Sequence, residues 1–278
     1  MTPSDYYVHD FDPIIVRLWG DFGIRYYGLA YVLGFFLAMY ILYRLRRTGK
    51  IRMTAEEQGT VAFALLLGVL IGGRIGHVLL YDWRYSLAHP LSIFEVWRGG
   101  MASHGGFAGV IFACWWLSKK MNLPFLRLGD AFSVMAPPGF MLGRLANFVN
   151  GELWGTPTDV PWAVIFPKSA PYTPIQLITP RHPSQLYEAA LEGLFLLLYT
   201  QWRLWRTRAF DSPGRISGEF LLLYAVVRIV GEQFREPDAP PILGVSRGVF
   251  YSLFLGFLGI FLIINSVRTQ NRRPPEAG

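Results

Sequence analysis

Long apolar runs are the feature of this sequence that most limits how it can fold. Residues 26–43 contain no charged side chain, and residues 59–81 contain a single arginine. A helix that crosses a bilayer needs about 20 mostly apolar residues, whereas a buried helix of a soluble protein needs fewer. Only 16% of the 278 residues are charged, against about one-quarter in a typical soluble domain. These runs favour a membrane protein over the alternative, a soluble all-α protein with a large core.

Seven such segments predict an all-α, polytopic integral membrane protein with a single transmembrane domain over residues 1–278. The predicted spans are 26–43, 59–81, 104–117, 128–149, 186–202, 216–234 and 249–267. The third span is short, and Pro137-Pro138 should kink the fourth. Two irregular segments, 82–103 and 151–185, are predicted as inserts on the outer side. The second contains seven prolines, which exclude a single helix and favour short strands or an extended arm.

The distribution of lysine and arginine predicts how these spans are oriented. The links after the first, third, fifth and seventh spans hold 15 of these residues, and the links on the other side hold eight. Because cytosolic loops carry the excess of positive charge, we expect the amino terminus outside and the carboxyl terminus in the cytosol. Basic loops that face anionic lipids then explain the net charge of +7, and no nucleic-acid partner is expected.

Polar residues of the predicted spans concentrate at one depth, just beneath the outer surface, where charged groups usually face a cavity or a partner. This set comprises Arg74, His77, His104, Arg144, Asn147, Asn150, Glu152, Glu188, Glu192, Tyr224, Arg228 and Glu232. The spacing of Tyr224, Arg228 and Glu232 predicts one stripe on a helix, and an internal Arg228–Glu232 salt bridge is the simpler explanation of that pair. This explanation does not extend to Arg144, which has no acidic residue three or four positions away.

Two arginines with amides and a tyrosine at one depth would suit the phosphate of a lipid, because a guanidinium presents a planar fork of donors. His104, in the sequence MASHGG, is either an interfacial anchor or a general base, since the pKa of histidine lies near neutrality. The glycines after it would let backbone or substrate approach closely. Histidine spacing and the single Cys114 fit no metal site and no disulfide, so we expect no metal or other cofactor. The glycines of LLLGVLIGGRIG predict close helix packing.

The segment GRLANFVNGELWG, residues 143–155, resembles the signature of bacterial prolipoprotein diacylglyceryl transferases. Other segments match in order along nearly the whole chain: RYYGLAY at 25–31, LIGGRIGHVL at 70–79, GGMASHGG at 99–106, RHPSQLYE at 181–188 and YAVVRIVGEQFREPD at 224–238. The resemblance implies a seven-span enzyme of the bacterial inner membrane whose active site faces the periplasm. Its partners would be phosphatidylglycerol and the lipobox cysteine in the signal peptide of a preprolipoprotein. The enzyme would transfer the diacylglyceryl group to that thiol and release glycerol phosphate.

Carried over by motif position, the resemblance implies that Arg144 and Arg228 act on the phosphate and that His104 is the base. The other residues predicted to bind substrate or lipid are Tyr27, Asn147, Asn150, Glu152, Gly155, Tyr224, Glu232 and Arg235, with Arg74 added for its predicted depth. Ala146 and Val249 depart from the family pattern, where glycine and glutamine are expected. Two alternatives stay open: a transporter or flippase that binds an anionic lipid without chemistry, and a headgroup transferase with a non-protein acceptor.

Overall fold

The computed structural model describes residues 6–20, 22–95, 100–237 and 240–271. Some residues used above lie outside these ranges: Arg98, Arg272 and Arg273 of the charge count, Gly99 and Asp238 of the matching segments, and 96–99 of the first predicted insert. Contacts between residues divide the chain into two units, which are described separately. The first unit comprises residues 1–41 and 132–278, and the second comprises residues 42–131.

Helices form most of the described chain. They are α1 (Tyr26–Arg47), α2 (Ala55–Tyr81), α3 (Trp83–Ala88), α4 (Ser103–Lys120), α5 (Phe125–Met135), α6 (Pro137–Asn150), α7 (Ser184–Glu188), α8 (Leu196–Arg206), α9 (Arg215–Glu232) and α10 (Arg247–Asn271). A π-helical segment, Ala189–Phe195, joins α7 to α8 without interruption. The described residues also form four short strands: β1 (Tyr7–Val8), β2 (Ile14–Trp19), β3 (Phe22–Arg25) and β4 (Val164–Ile165). Each of the seven predicted spans therefore coincides with helical structure.

Three helices of the described chain are long and apolar enough to cross a membrane by length and composition: Tyr26–Arg47, Ala55–Tyr81 and Arg247–Gln270. Between 11% and 22% of their most apolar windows is buried within the protein. Large side chains such as Phe36, Leu79 and Phe257 are more than 60% exposed, which water would disfavour and lipid would not. The structure therefore fits a membrane protein, while the count of seven spans and their orientation stay predictions.

In the second unit, α2 begins with a capping box and packs closely on α4. The hydroxyl of Thr54 accepts from the amide of Glu57, whose carboxylate accepts from the amide of Thr54. Further along, a Cβ added at Gly72 or Gly109 would collide with backbone atoms of the other helix. The predicted close packing of the glycine-rich segment is thus confirmed. Gly105, next to His104, also contacts backbone, that of Gly72 and Gly76, so this glycine serves helix packing.

In the first unit, an irregular segment with one short strand joins α6 to α7. Its strand β4 pairs in parallel with β1, which ties the amino-terminal segment to the insert. Strands β2 and β3 form an antiparallel hairpin that leads directly into α1. The helix is interrupted just before Pro137-Pro138, because α5 ends at Met135 and α6 begins at Pro137. Prolines are tolerated in a first helical turn, where amide groups have no intrahelical acceptor.

Candidate active site

Helix α6 carries an arginine and two asparagines in its carboxyl-terminal half. Arg144, Asn147 and Asn150 follow one another at intervals of three residues, so they lie one turn apart. The helix ends at Gly151, whose φ of 60° and ψ of 47° are left-handed, a conformation that glycine adopts without steric penalty. The chain then turns back, and the amide of Glu152 donates to the carbonyl of Asn147 at 3.1 Å. This turn brings the carboxylate of Glu152 back toward the amides of α6.

The π-helical segment sets two glutamates opposite α6. Glu188 ends α7, and Glu192 lies within the π-helical turns, where one extra residue per turn shifts the positions of side chains. Close packing fixes this segment against α6, because a Cβ at Gly193 would lie 2.5 Å from the Cα of Met141. Both carboxylates are buried, with side chains 0% and 2% exposed.

Three arginines and three glutamates meet in one group, here called the arginine–glutamate cluster: Arg144, Arg228, Arg235, Glu188, Glu192 and Glu232. Arg144 lies 3.1 Å from both Glu188 and Glu192. Arg228 lies 2.8 Å from Glu188 and 3.4 Å from Glu192. Arg235 lies 3.2 Å from Glu188, which therefore contacts all three guanidinium groups. Burying these charges is tolerable only because each one has partners of opposite sign.

The cluster has a formal charge of zero, since its three arginines match its three glutamates. The predicted internal salt bridge of Arg228 with Glu232 is confirmed at 2.7 Å. Arg144 also has acidic partners, although its neighbourhood in the sequence supplies none. Those partners come from the helical segment some 40 residues later in the chain, and only the fold reveals them.

A second set, here called the amide–carboxylate set, consists of Tyr27, Asn147, Asn150 and Glu152. The Nδ2 of Asn147 donates to Oε1 of Glu152 at 2.8 Å and lies 3.4 Å from the hydroxyl of Tyr27. The Nδ2 of Asn150 donates to the same carboxylate oxygen at 3.3 Å. The structure thus brings four predicted site residues together, and α6 connects them to Arg144.

Gly155 and Arg235 belong to the frame around these two sets. A backbone bridge pairs them, and the amide of Gly155 donates to the carbonyl of His182 at 2.9 Å. A side chain at Gly155 would collide with the carbonyls of Phe234 and His182. Arg181 donates to the carbonyl of Gly155 at 3.0 Å. The structure therefore explains the glycine at this position by the close approach of three backbone segments, while its predicted role in substrate binding stays a prediction.

Tyr224 lies on α9, one turn before Arg228. Its ring packs on Phe140 of α6 and on Phe220, with centroids 5.7 Å and 6.1 Å away. The predicted stripe of Tyr224, Arg228 and Glu232 on one helix is confirmed for its last two members by their ion pair. The tyrosine joins this stripe to the apolar core of the first unit.

Arg74 and His104 lie in the second unit. The guanidinium of Arg74 donates to the carbonyls of Ile93 at 2.7 Å, of Gly100 at 3.1 Å and of Ser92. These contacts organise the segment between α3 and α4, a structural role that the prediction of lipid binding did not anticipate. His104 is exposed in the first turn of α4.

Three residues that build the site were not among the predicted site residues. Glu188 and Glu192 bind the arginines, and Gln185 donates its amide to the carbonyl of Glu152 at 2.6 Å. The signal for the two glutamates was present, since carboxylates within an apolar run usually have a function. Nothing in the spacing of Gln185 indicates its contact with a loop more than 30 residues earlier.

One histidine outside the predicted spans supports the end of α6. The Nε2 of His9 lies 2.6 Å from the carbonyl of Phe148, and its ring packs on the rings of Phe148 and Phe166. Burial lowers the pKa of His9 below its usual value. His9 is therefore kept neutral while it anchors the turn that carries Asn150 and Glu152.

Comparisons with known proteins identify the family of this chain. Residues 13–265 match the family described as prolipoprotein diacylglyceryl transferase. A phosphatidylglycerol–prolipoprotein diacylglyceryl transferase of Bradyrhizobium diazoefficiens is 40% identical over 277 residues, covering 96% of this chain and 95% of that protein. Proteins of the same name from Zymomonas mobilis and Nitrosospira multiformis are 42% and 44% identical, covering 89% and 93% of this chain and 85% and 88% of their own lengths. The chain therefore belongs to the prolipoprotein diacylglyceryl transferase family.

Proposed function

We propose that this protein transfers the diacylglyceryl group of phosphatidylglycerol to the thiol of the lipobox cysteine of preprolipoproteins. The names of its relatives state the donor and the acceptor protein. The observation that carries the proposal for this chain is the arginine–glutamate cluster, where Arg144 and Arg228 bind the same two carboxylates. Two guanidinium groups held by one pair of anions can also be bridged by a phosphate.

The reaction is a substitution at carbon. The sulfur of the substrate cysteine attacks the glycerol carbon that carries the phosphate, a carbon–sulfur bond forms, and the carbon–oxygen bond breaks. The electron pair of that bond stays on the phosphate oxygen, which leaves as glycerol phosphate. Arg144 and Arg228 stabilise the charge on the departing phosphate. His104 accepts the thiol proton, because thiolate is the reactive form of cysteine.

Binding of the lipid proceeds by exchange of anions, since the arginines are already neutralised. Oε2 of Glu188 and Oε2 of Glu232 lie within ion-pair distance of arginines but have no aligned hydrogen bond within the described part of the chain. A phosphate oxygen that aligns with the same guanidinium nitrogens would replace these contacts with stronger ones. Glu188 and Glu192 then keep the arginines in position between turnovers.

The remaining site residues support the headgroup and its surroundings. Tyr27, Asn147, Asn150 and Glu152 offer donors and acceptors for the glycerol hydroxyls next to the phosphate. Tyr224 lies on α9 one turn before Arg228 and packs on Phe140 of α6. The backbone around the site and its outer opening are supported by Gly155, Glu232 and Arg235. Arg74 organises the segment between α3 and α4.

We place the protein in the bacterial inner membrane, with seven spans, a periplasmic amino terminus and a cytosolic carboxyl terminus. The inserts 82–103 and 151–185 then lie in the periplasm, on the same side as the active site. The excess of basic residues in the links after α1, α4, α8 and α10 supports this orientation.

A mass measurement tests the proposed reaction. The purified protein is reconstituted in phosphatidylglycerol vesicles with a lipobox peptide or with the same peptide carrying serine instead of cysteine. We expect a diacylglyceryl adduct on the cysteine peptide alone, together with released glycerol phosphate. Movement of intact lipid without an adduct would instead support a flippase, and an adduct on a non-protein acceptor would support another headgroup transferase.

Arginine-to-lysine variants test the role of the cluster. Arg144→Lys and Arg228→Lys keep the charge but lose the planar fork, so each should reduce transfer at least tenfold. The matched control is Arg203→Lys, since Arg203 binds Glu219 through two hydrogen bonds of 2.6 Å outside the cluster. Equal activity of all three variants would refute a forked phosphate contact.

A further inference from the structure

A cavity of about 300 Å³ lies beside the amide–carboxylate set, at the carboxyl end of α6. Three parts of the first unit line this cavity, which is here called the outer cavity. The base of the β2–β3 hairpin contributes Pro13 and Arg25, and the insert contributes Lys168. The end of α6 and the turn after it contribute Asn150, Gly151, Glu152 and Trp154. Cavities of this volume are at the lower end of the range for small-molecule sites.

The outer cavity carries more positive than negative charge. Arg25 and Lys168 line it together with one acid, Glu152. Both amides of α6 already donate to that carboxylate, which disperses its charge. The ammonium of Lys168 is held at the cavity by the carbonyl of Asn150, 2.5 Å away. The arginine–glutamate cluster, by contrast, is formally neutral.

The position of the cavity relates it to the reaction. Asn150 and Glu152 belong both to the amide–carboxylate set and to the cavity lining. From Arg144 to Asn150 is six residues of α6, or about 9 Å along the helix axis. A phosphate group that leaves Arg144 and moves toward the carboxyl end of α6 therefore reaches the outer cavity.

Charge distinguishes the lipid from the product at this point. The phosphate diester of the lipid carries one negative charge, whereas a phosphate monoester carries about −1.5 to −2 near neutral pH. Breaking the carbon–oxygen bond therefore adds negative charge to the phosphate group. A neutral cluster suits the diester, and a cavity with two cations suits the monoester.

We propose that the outer cavity binds the glycerol phosphate group after it separates from the diacylglyceryl group, with Lys168 and Arg25 as the phosphate ligands. Asn150 and Glu152 would receive the glycerol hydroxyls. This inference rests on the proposed function, because it takes glycerol phosphate as the product. It adds a product site to a protein whose lipid site lies at the arginines.

Binding without turnover gives the first test. Glycerol phosphate, inorganic phosphate and glycerol are titrated into the full-length protein in detergent, with no peptide acceptor, and binding is followed by calorimetry. We expect Lys168→Gln and Arg25→Gln each to weaken binding of glycerol phosphate about tenfold. Lys119→Gln, which removes another exposed lysine at the end of α4, is the matched control and should bind as the wild type does.

Kinetics then separate the product from the lipid headgroup as the source of the phosphate. Added glycerol phosphate should inhibit transfer, and the inhibition constant should rise about tenfold in both variants while the KM for phosphatidylglycerol changes less than twofold. Unchanged inhibition constants would overturn the proposal. A raised KM with an unchanged inhibition constant would also overturn it, since the cavity would then bind the intact lipid.

The titration also separates this proposal from the proposed function. Binding of glycerol phosphate that depends on Lys168, in a protein that forms no adduct, would refute the transferase and leave the site standing. Equal binding by wild type and both variants would remove the site even if transfer is observed. Thermal melting of each variant shows that it is folded before either measurement.

Discussion

Glu188→Gln is the most informative change in the arginine–glutamate cluster. Its side chain is 0% exposed, and it contacts Arg144, Arg228 and Arg235 at 3.1, 2.8 and 3.2 Å. Glutamine keeps the shape but removes the negative charge, so one buried and two partly buried arginines would share two carboxylates. Removing one partner from a buried ion pair costs about 3–5 kcal/mol. We expect a loss of this size in the free energy of unfolding.

Phosphate should restore part of that loss, because it supplies the missing negative charge. A ligand at about 100 times its dissociation constant stabilises a protein by about 2.7 kcal/mol. In thermal melts of the purified protein, phosphatidylglycerol or inorganic phosphate should therefore raise the midpoint of Glu188→Gln more than that of the wild type.

A matched control is available at the other end of α9. Glu219 is also buried and lies 2.6 Å from Arg203 and 2.5 Å from Arg215. Glu219→Gln should lose stability for the same reason, but phosphate should not restore it preferentially. Equal rescue of both variants, or no loss in Glu188→Gln, would refute the idea that phosphate and Glu188 compete for the same arginines.

Three further outcomes follow from the structure. Gly155→Ala should abolish transfer and lower the melting midpoint, because the added Cβ would collide with backbone carbonyls. Gly143→Ala should do neither, since a Cβ there meets nothing within 4 Å. Equal effects of the two variants on transfer and melting would show that close backbone packing at Gly155 is not the reason. His104→Gln should slow transfer most at low pH, where thiolate is scarce, and an unchanged pH profile would remove His104 as the base. Burial lowers the pKa of His9 from 6.5, so protons bind the unfolded chain preferentially and stability falls below about pH 6.5. In melts at about pH 7.5 and about pH 5.5, His9→Gln should lose less stability than the wild type, and an equal loss would show that His9 is not the titrating group.

Sequence reasoning succeeded where the signal lies within one helix. The stripe of Arg228 and Glu232, the break at Pro137-Pro138 and the glycine packing of α2 could all be predicted from spacing or residue type. Each depends on local geometry that a periodic helix or a proline ring imposes.

Sequence reasoning failed where contacts join segments that are distant in the chain. Arg144 was left without an acidic partner because spacing shows only neighbours on its own helix, whereas Glu188 and Glu192 approach it across a helix interface. For Arg74, the role in lipid binding that was inferred from its depth stays a prediction, but its contacts were not anticipated. Its acceptors are backbone carbonyls, which every residue has and which no sequence pattern marks.

The neutrality of the arginine–glutamate cluster has a consequence for how strongly the protein needs to hold its lipid. If the arginines bind the lipid phosphate as proposed, Glu188, Glu192 and Glu232 are competitors fixed in place, so the affinity for phosphate is only the difference between two sets of contacts to the same guanidinium groups. Weak binding of this kind would leave a soluble substrate largely unbound. A lipid that forms the surrounding bilayer is always present at high local concentration, so modest affinity is enough to fill the site. The same modest affinity lets the phosphate leave once the diacylglyceryl group is gone, because the carboxylates are already in place to take the arginines back.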